Sequence, residues 1–411
     1  MSLWTEPAND ETKPVADRAR AAHEERTGTA PTHVASAPGT WILAGENVDH
    51  FGGTTLIGLS SLRAAVAVSP RDDHKLVFAA SSRASTSVLA TAEMGEPDSA
   101  DHAVAKRWAG LVHQLIQRQV LSRETQGLDV TVVSDIPLGA GLGALWAADA
   151  AMCLALAAGH DELNDAPFRA RLADIASQAV ESYSSLTGLR SRHTAALRAS
   201  GAGIAVIDYA DGSLTEAPHP GRLGVRIFSV AEAFGKADAG QVENIAKHRA
   251  FIDAACSNFG VNSLRKLPDA IDRVVEWVQA RHTVGDETAP APEKARAWVH
   301  YCEAETLRSM AVAKALRSRH ANDLFTLVNS PTEMRGLELP DALIALCLER
   351  GAVAARPAAT GSSKAALAFV PVHEADAFAR RFAKDFDLLE ITQGTTAQLE
   401  DPEDPAGTDT A

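Results

Sequence analysis

The chain has 411 residues, 46% hydrophobic and 5% aromatic, more than one ordinary core organises and suited to two packed domains. Its 39 Lys and Arg face 53 Asp and Glu, a formal charge of −14. Such a surface repels phosphate backbones and anionic lipid, which excludes nucleic acid as a general partner but leaves room for a small anion held by backbone N–H groups. The four cysteines, Cys153, Cys256, Cys302 and Cys347, are too far apart for a zinc or disulfide framework and read as reduced thiols. Met1 to Ala16 is polar and carries Pro7 and Pro14, unlike a secretory leader. Ala147 to Ala158, the longest apolar helical stretch, is interrupted by Asp149 and falls short of the ~20 residues a membrane span needs. A cytoplasmic, soluble protein without a membrane partner is expected.

In chain order, residues 1–14 are predicted to be a disordered terminus, and Val15 to Glu25 a helix ending before Gly28. His33 to Val48 and Leu56 to Val68 read as strands joined through Gly52 and Gly53. A strand follows at Lys75 to Ala80, a helix at Ala103 to Val120, and a short buried strand at Val130 to Val133. A Pro- and Gly-rich loop then leads into an Ala-rich helix reaching Ala158. Helix is predicted again over Arg169 to Tyr183, Gln241 to Cys256, Ile271 to Ala280 and, in successive segments, Ala295 to Val328. Strands are predicted at Gly203 to Tyr209, Val225 to Val230 and Ala365 to Val370. The mixture predicts an α+β protein with an N-terminal domain over 15–220 and a C-terminal domain over 221–393. The segment 394–411 is acidic, carries Pro402 and Pro405, and is predicted to be disordered.

The loop Pro137-Leu138-Gly139-Ala140-Gly141-Leu142-Gly143-Ala144 joins a predicted strand to a predicted helix. Glycines let several N–H groups converge, and a helix N-terminus adds partial positive charge, so an anion site forms without Lys or Arg. A plain strand-to-helix turn, in which glycines only relieve sterics, is the alternative.

Gly127 to Val130 followed by this loop resembles the second motif of the GHMP small-molecule kinases, and within them the galactokinases. The run from Ala37 to Gly53, with Gly39, Gly45, Glu46, Asn47, Asp49, Gly52 and Gly53, looks like the galactokinase signature. Thr360 to Ser363 stands in the place of the third, glycine-rich motif, and the resemblance covers about residues 17–392. It implies a two-domain GHMP kinase fold with a ribosomal protein S5 domain 2-like N-terminal half, a ferredoxin-like C-terminal half and a ligand cleft between them. It also implies ATP and Mg2+ as cofactors and a small sugar as ligand. The family activity is transfer of the γ-phosphoryl group to the C1 hydroxyl of galactose.

By position, Pro137, Gly139, Ala140, Gly141, Leu142, Gly143 and Ala144 are the nucleotide-binding candidates, and Glu46, Asn47, Asp49 and Gly188 the sugar-binding ones. Acidic groups at Glu46 and Asp49 suit vicinal diols, with a turn-stabilising role as the alternative. The family's magnesium-binding glutamate falls on Glu181 if the loop to Gly188 is shortened, and on Ala179 without a gap.

The catalytic positions depart from the pattern. The first-motif arginine falls on Thr40, which carries no charge, and the catalytic aspartate on Ser191, a poor base near neutral pH. The serine run maps to Gly143, Ala144 and Leu145, and Trp146 replaces an alanine. Arg190 or Arg192 is a candidate to restore phosphate charge, while Arg192 and His193 read as a replacement acid–base pair beside Ser191 or, more simply, as an exposed polar helix start. His300 and Cys302 read as packing residues. Three readings stay open: a galactokinase-like enzyme using substitute groups, a non-catalytic sugar or nucleotide sensor acting through a protein partner, and a bare scaffold closed around Trp146.

Overall fold

The computed structural model describes residues 13–81, 86–185, 189–234, 241–330, 334, 336–337 and 339–400. Helix α1 (Val15–Thr27) ends at Gly28, whose left-handed φ of 77° turns the chain into β1 (His33–Ala44). Then come β2 (Thr54–Arg71), β3 (Lys75–Ser81), β4 (Thr86–Glu93), α2 (Ala103–Gln117), β5 (Gly127–Ser134), α3 (Ala144–Leu156), α4 (Ala166–Tyr183), α5 (Arg190–Arg198), β6 (Ile204–Asp208) and β7 (Ser213–Ala217). The 18-residue β2 serves two pairings, β6 along its first half and β5 along its second, with β1 beside it throughout. Alanines make the packing close on both faces. Ala16, Ala19 and Ala22 of α1 lie on Val34, Ala65, Ala67 and Val133. The opposite face carries the main core, where Ala35, Ala37, Ala64 and Val66 meet Trp108, Leu111 and Leu154.

The C-terminal half contains β8 (Val225–Ala231), α6 (Val242–Phe259), α7 (Ala270–Thr283), α8 (Pro292–Ser318), α9 (Ala321–Val328), α10 (Asp341–Glu349), β9 (Ala354–Pro357), β10 (Ala366–Pro371), α11 (Val372–Phe382) and β11 (Asp387–Glu390). Its antiparallel sheet has the order β11-β8-β10-β9. Numbered within the half, that is 4-1-3-2 with helical crossovers, the ferredoxin-like arrangement expected from the sequence. Strand alternation explains how the halves join. Phe228, Val230, Ala366 and Ala368 face α10 and α11, whereas Ile227, Leu367 and Phe369 enter the core of the N-terminal half. A third core, from α6, α7 and α8, receives Val48 and Phe51 of the first-motif loop.

One expectation is corrected. Residues 394–400 are not a loose tail: β12 (Gln398–Leu399) pairs with β1, and Arg63 donates to the Thr395 and Thr396 carbonyls at 3.0 Å. The segment returns across the domain junction and closes the free edge of β1, which acidity and proline content do not foretell. Residues 401–411 lie outside the described residues.

Candidate functional site

The site is assembled where the β1–β2 loop, the glycine-rich loop, α5 and the β9–β10 loop meet. Glu46 is 5% exposed and its Oε2 accepts from Arg356 Nη2 at 2.7 Å and from the Thr360 hydroxyl at 2.5 Å. The Thr360 N–H reaches Glu46 Oε1 at 3.2 Å, and the Tyr301 hydroxyl reaches the Glu46 carbonyl at 2.7 Å. Both oxygens of this carboxylate are thus engaged by the C-terminal half. Asn47 is buried in left-handed conformation (φ 55°), and its Oδ1 has no hydrogen-bond partner.

Asp49 accepts from Arg249 Nη2 at 2.5 Å. Burial works against its charge, but Arg249, His50 and Arg190 outweigh it and hold the carboxyl below its ordinary pKa. His50 lies between Asp253 Oδ1, 2.7 Å from Nδ1, and Glu181 Oε1, 3.5 Å from Nε2. Burial opposes protonation there too, yet Asp49, Asp253 and Glu181 raise the imidazole to about 9. Gly188 lies outside the described residues.

Gly139, Gly141 and Gly143 have φ of 82°, 74° and 65°, backbone that L side chains rarely adopt. Five successive loop carbonyls accept from the protein. Ser363 and Ser229 hydroxyls reach Gly139 and Ala140, Arg192 Nη2 reaches Gly141 at 2.9 Å, and the N–H groups of Thr40 and Ala147 reach Leu142 and Gly143. Carbonyls bonded in succession suit a rigid loop; Pro137, Ala140, Gly141, Leu142 and Ala144 are buried in it.

Arg192 decides the chemistry beside this loop. The exposed helix start expected from the sequence is overturned, because Arg192 is 1% exposed and His193 0%. Arg192 Nη1 donates to the Thr40 carbonyl and, at 3.0 Å, to the Thr40 hydroxyl. A Cβ at Gly143 would stand 2.7 Å from that Nη1, so the guanidinium fills the space that the glycine leaves. Burial lowers the Arg192 pKa to about 10, against a raising influence from Glu46. Trp146, 8% exposed, lies between Arg107 and Arg192, with their guanidinium carbons 4.7 and 5.5 Å from its centroid. Ser191 is buried on the same helix turn.

Behind Trp146 is a polar cluster that sequence reasoning missed. Asp149 accepts from Arg107 Nε at 3.1 Å, Trp108 Nε1 at 3.2 Å and His193 Nε2 at 3.0 Å, with Arg107 and Asp149 both 1% exposed. The signal available was Asp149 itself, a charge inside an otherwise apolar helix that burial obliges to find a partner.

The residues do not fit a nucleotide-bound magnesium. Gly143, Ala144 and Leu145 bring no hydroxyl or carboxylate, and Glu181 is turned to His50.

Residues 21–70 match the family described as the galactokinase galactose-binding signature. The fold is similar to that of Lactococcus lactis galactokinase complexed with galactose, at 17% identity over 94% of this chain and 100% of that one, TM-score 0.69. It is also similar to the Lin0012 protein of Listeria innocua (11% identity, 90% and 99% covered, TM-score 0.59). A third likeness is to Methanococcus jannaschii mevalonate kinase (12% identity, 88% and 98% covered, TM-score 0.50). The architecture is the α+β fold of the GHMP small-molecule kinases. Within that fold, the first-motif signature makes the resemblance one to the galactokinase-like branch. No helix among the described residues is long and apolar enough to cross a membrane.

Proposed function

We propose that this galactokinase-like protein binds a small sugar-type ligand and transfers no phosphoryl group to it. The observation that carries the reading is the seating of Arg192, whose terminal nitrogens are directed at Thr40 and Gly141 in a position closed to solvent. Phosphoryl transfer depends on positive charge facing the transferred group and on a correctly placed acceptor. Here the charge beside the loop is already covered by carbonyls, Thr40 supplies none, and Ser191 replaces the base. The galactose-binding signature over 21–70 supports a sugar as ligand, and four buried free thiols suit a reducing cytoplasm. A regulator of this kind acts through a protein partner that senses its ligand state.

The test is a coupled assay of MgATP with a hexose panel, galactose included, alongside calorimetric titration of MgATP. The expected outcome is no turnover above a protein-free blank and no micromolar nucleotide binding. Turnover on any hexose would sink the reading. If that turnover vanished in Arg192→Met, the arginine absent from position 40 would have been replaced functionally from α5.

A further inference from the structure

Arg190 opens α5, is half-buried, and lays its guanidinium carbon 4.9 Å from the centroid of the Tyr209 ring. Burial works against its charge, which Asp49, Tyr209, Glu181 and Asp174 nevertheless favour, but among the described residues it closes no hydrogen bond or ion pair of its own. The neighbouring carboxylates are otherwise engaged: Asp49 with Arg249 at 2.5 Å, Asp253 with His50 at 2.7 Å, and Glu181 beside His50 at 3.5 Å. The buried Tyr209 hydroxyl has the Thr194 side chain as its hydrogen-bonding neighbour and keeps capacity for a second partner. A planar fork of donors without an acceptor among the described residues therefore stands beside a phenol hydroxyl that can take a further partner.

A partly desolvated guanidinium without an acceptor is unfavourable, and a carboxylate meets its fork with two parallel hydrogen bonds. The surrounding charges are Arg190, Arg249 and protonated His50 against Asp49, Glu181, Asp253 and Asp174. A carboxylate bonded directly to the Arg190 fork adds a single negative charge there, whereas a dianionic phosphate adds more and meets greater repulsion from the four carboxylates. Those carboxylates retain lone pairs for sugar hydroxyls.

We propose that Arg190 and Tyr209 hold the carboxylate of a monosaccharide-sized sugar acid, an aldonate or uronate, in a site flanked by Asp49, His50 and Glu181. The assignment goes beyond the loss of phosphoryl transfer, since it needs no nucleotide and names a ligand class that a neutral hexose does not satisfy.

The test is calorimetric titration of the full chain, free of nucleotide, with galacturonate, galactonate, galactose and galactose 6-phosphate. At least one of the two acids is expected to bind on the order of tenfold more tightly than galactose. Arg190→Met should remove that preference, Arg190→Lys should keep part of it because the charge stays and the fork is lost, and Tyr209→Phe should weaken the acid alone. Thermal melting of each variant checks the fold, and Tyr209→Phe carries the test if Arg190→Met does not fold. Galactose binding as tightly as both acids, the phosphate binding best, none of the four binding, or an undiminished acid preference in Arg190→Met would each overturn the assignment. A failed titration leaves the reading of lost phosphoryl transfer standing, and kinase turnover leaves the Arg190 site standing.

Discussion

Arg192 Nη1 donates to the Thr40 hydroxyl at 3.0 Å, from a helix 152 residues further along the chain. The arginine absent from β1 is matched by one entering from α5, and three local features make room for it. Thr40 is short enough to accept rather than collide, Gly143 has no Cβ, and the Trp146 face covers the cation. These positions form one packed unit.

That unit is testable by coupling. Gly143→Ala should cost about 2–3 kcal/mol, because the new Cβ meets Arg192 and φ stays positive. In an Arg192→Ala background the collision is gone and the same change should cost only about 1 kcal/mol. Urea denaturation of the two singles and the double gives the coupling directly. Additive losses would mean that Arg192 does not fill the glycine's space.

Arg192→Met alone leaves the Thr40 and Gly141 oxygens short of a buried donor. A loss of about 2–4 kcal/mol in unfolding free energy is expected. A change within 0.5 kcal/mol, the range of ordinary surface substitutions, would place the side chain outside the core.

Removing Asp149 strands a buried Arg107 and deprives Trp108 and His193 of their acceptor. Asp149→Ala should therefore cost on the order of 3–5 kcal/mol, with Asp149→Asn in between because its carbonyl still accepts. Equal stability of Asp149→Ala and the parent would contradict the network.

His50 gives stability a pH dependence with a definite sign. Its folded pKa of about 9 lies above the ordinary 6.5, so its contribution is fully present below pH 6.5 and is lost as pH rises through 9. Asp49, Asp253 and Glu181 face it, with Arg249 opposing. Because Asp253 and Glu181 are partly exposed, the loss should be about 1–2 kcal/mol. Chemical denaturation from pH 6 to 9.5 reads it, and His50→Gln should flatten that part of the profile.

The C-terminal strap supplies a fourth kind of test. Ending the chain after Gln393 removes the β1–β12 pairing and the acceptors that Thr395, Thr396 and Ala397 offer Arg63 and Arg169. The melting temperature should fall by several degrees.

Much of the fold is legible in the residues. Alternating Ala, Val and Ile mark β1, β2, β8 and β10, and helical spacing marks α2, α4, α6 and α8, because both periodicities are properties of a single stretch of backbone. The short strands β9, β11 and β12 offer too few residues for a pattern, and only their neighbours hold them in place. The site divides in the same way. Position alone identified Glu46, Asp49, Thr40 and the glycine-rich loop, since motif spacing is local. Their partners are Arg356, 310 residues from Glu46, Arg249, 200 from Asp49, and Arg192, 152 from Thr40. A polar run such as Arg190-Ser191-Arg192-His193 reads as solvated until the fold supplies acceptors deep enough to bury it. Sequence thus determined the scaffold and which residues stand at the motif positions. Only the tertiary structure decided what those residues pair with, because charge pairing across distant segments depends on which surfaces the chain brings together.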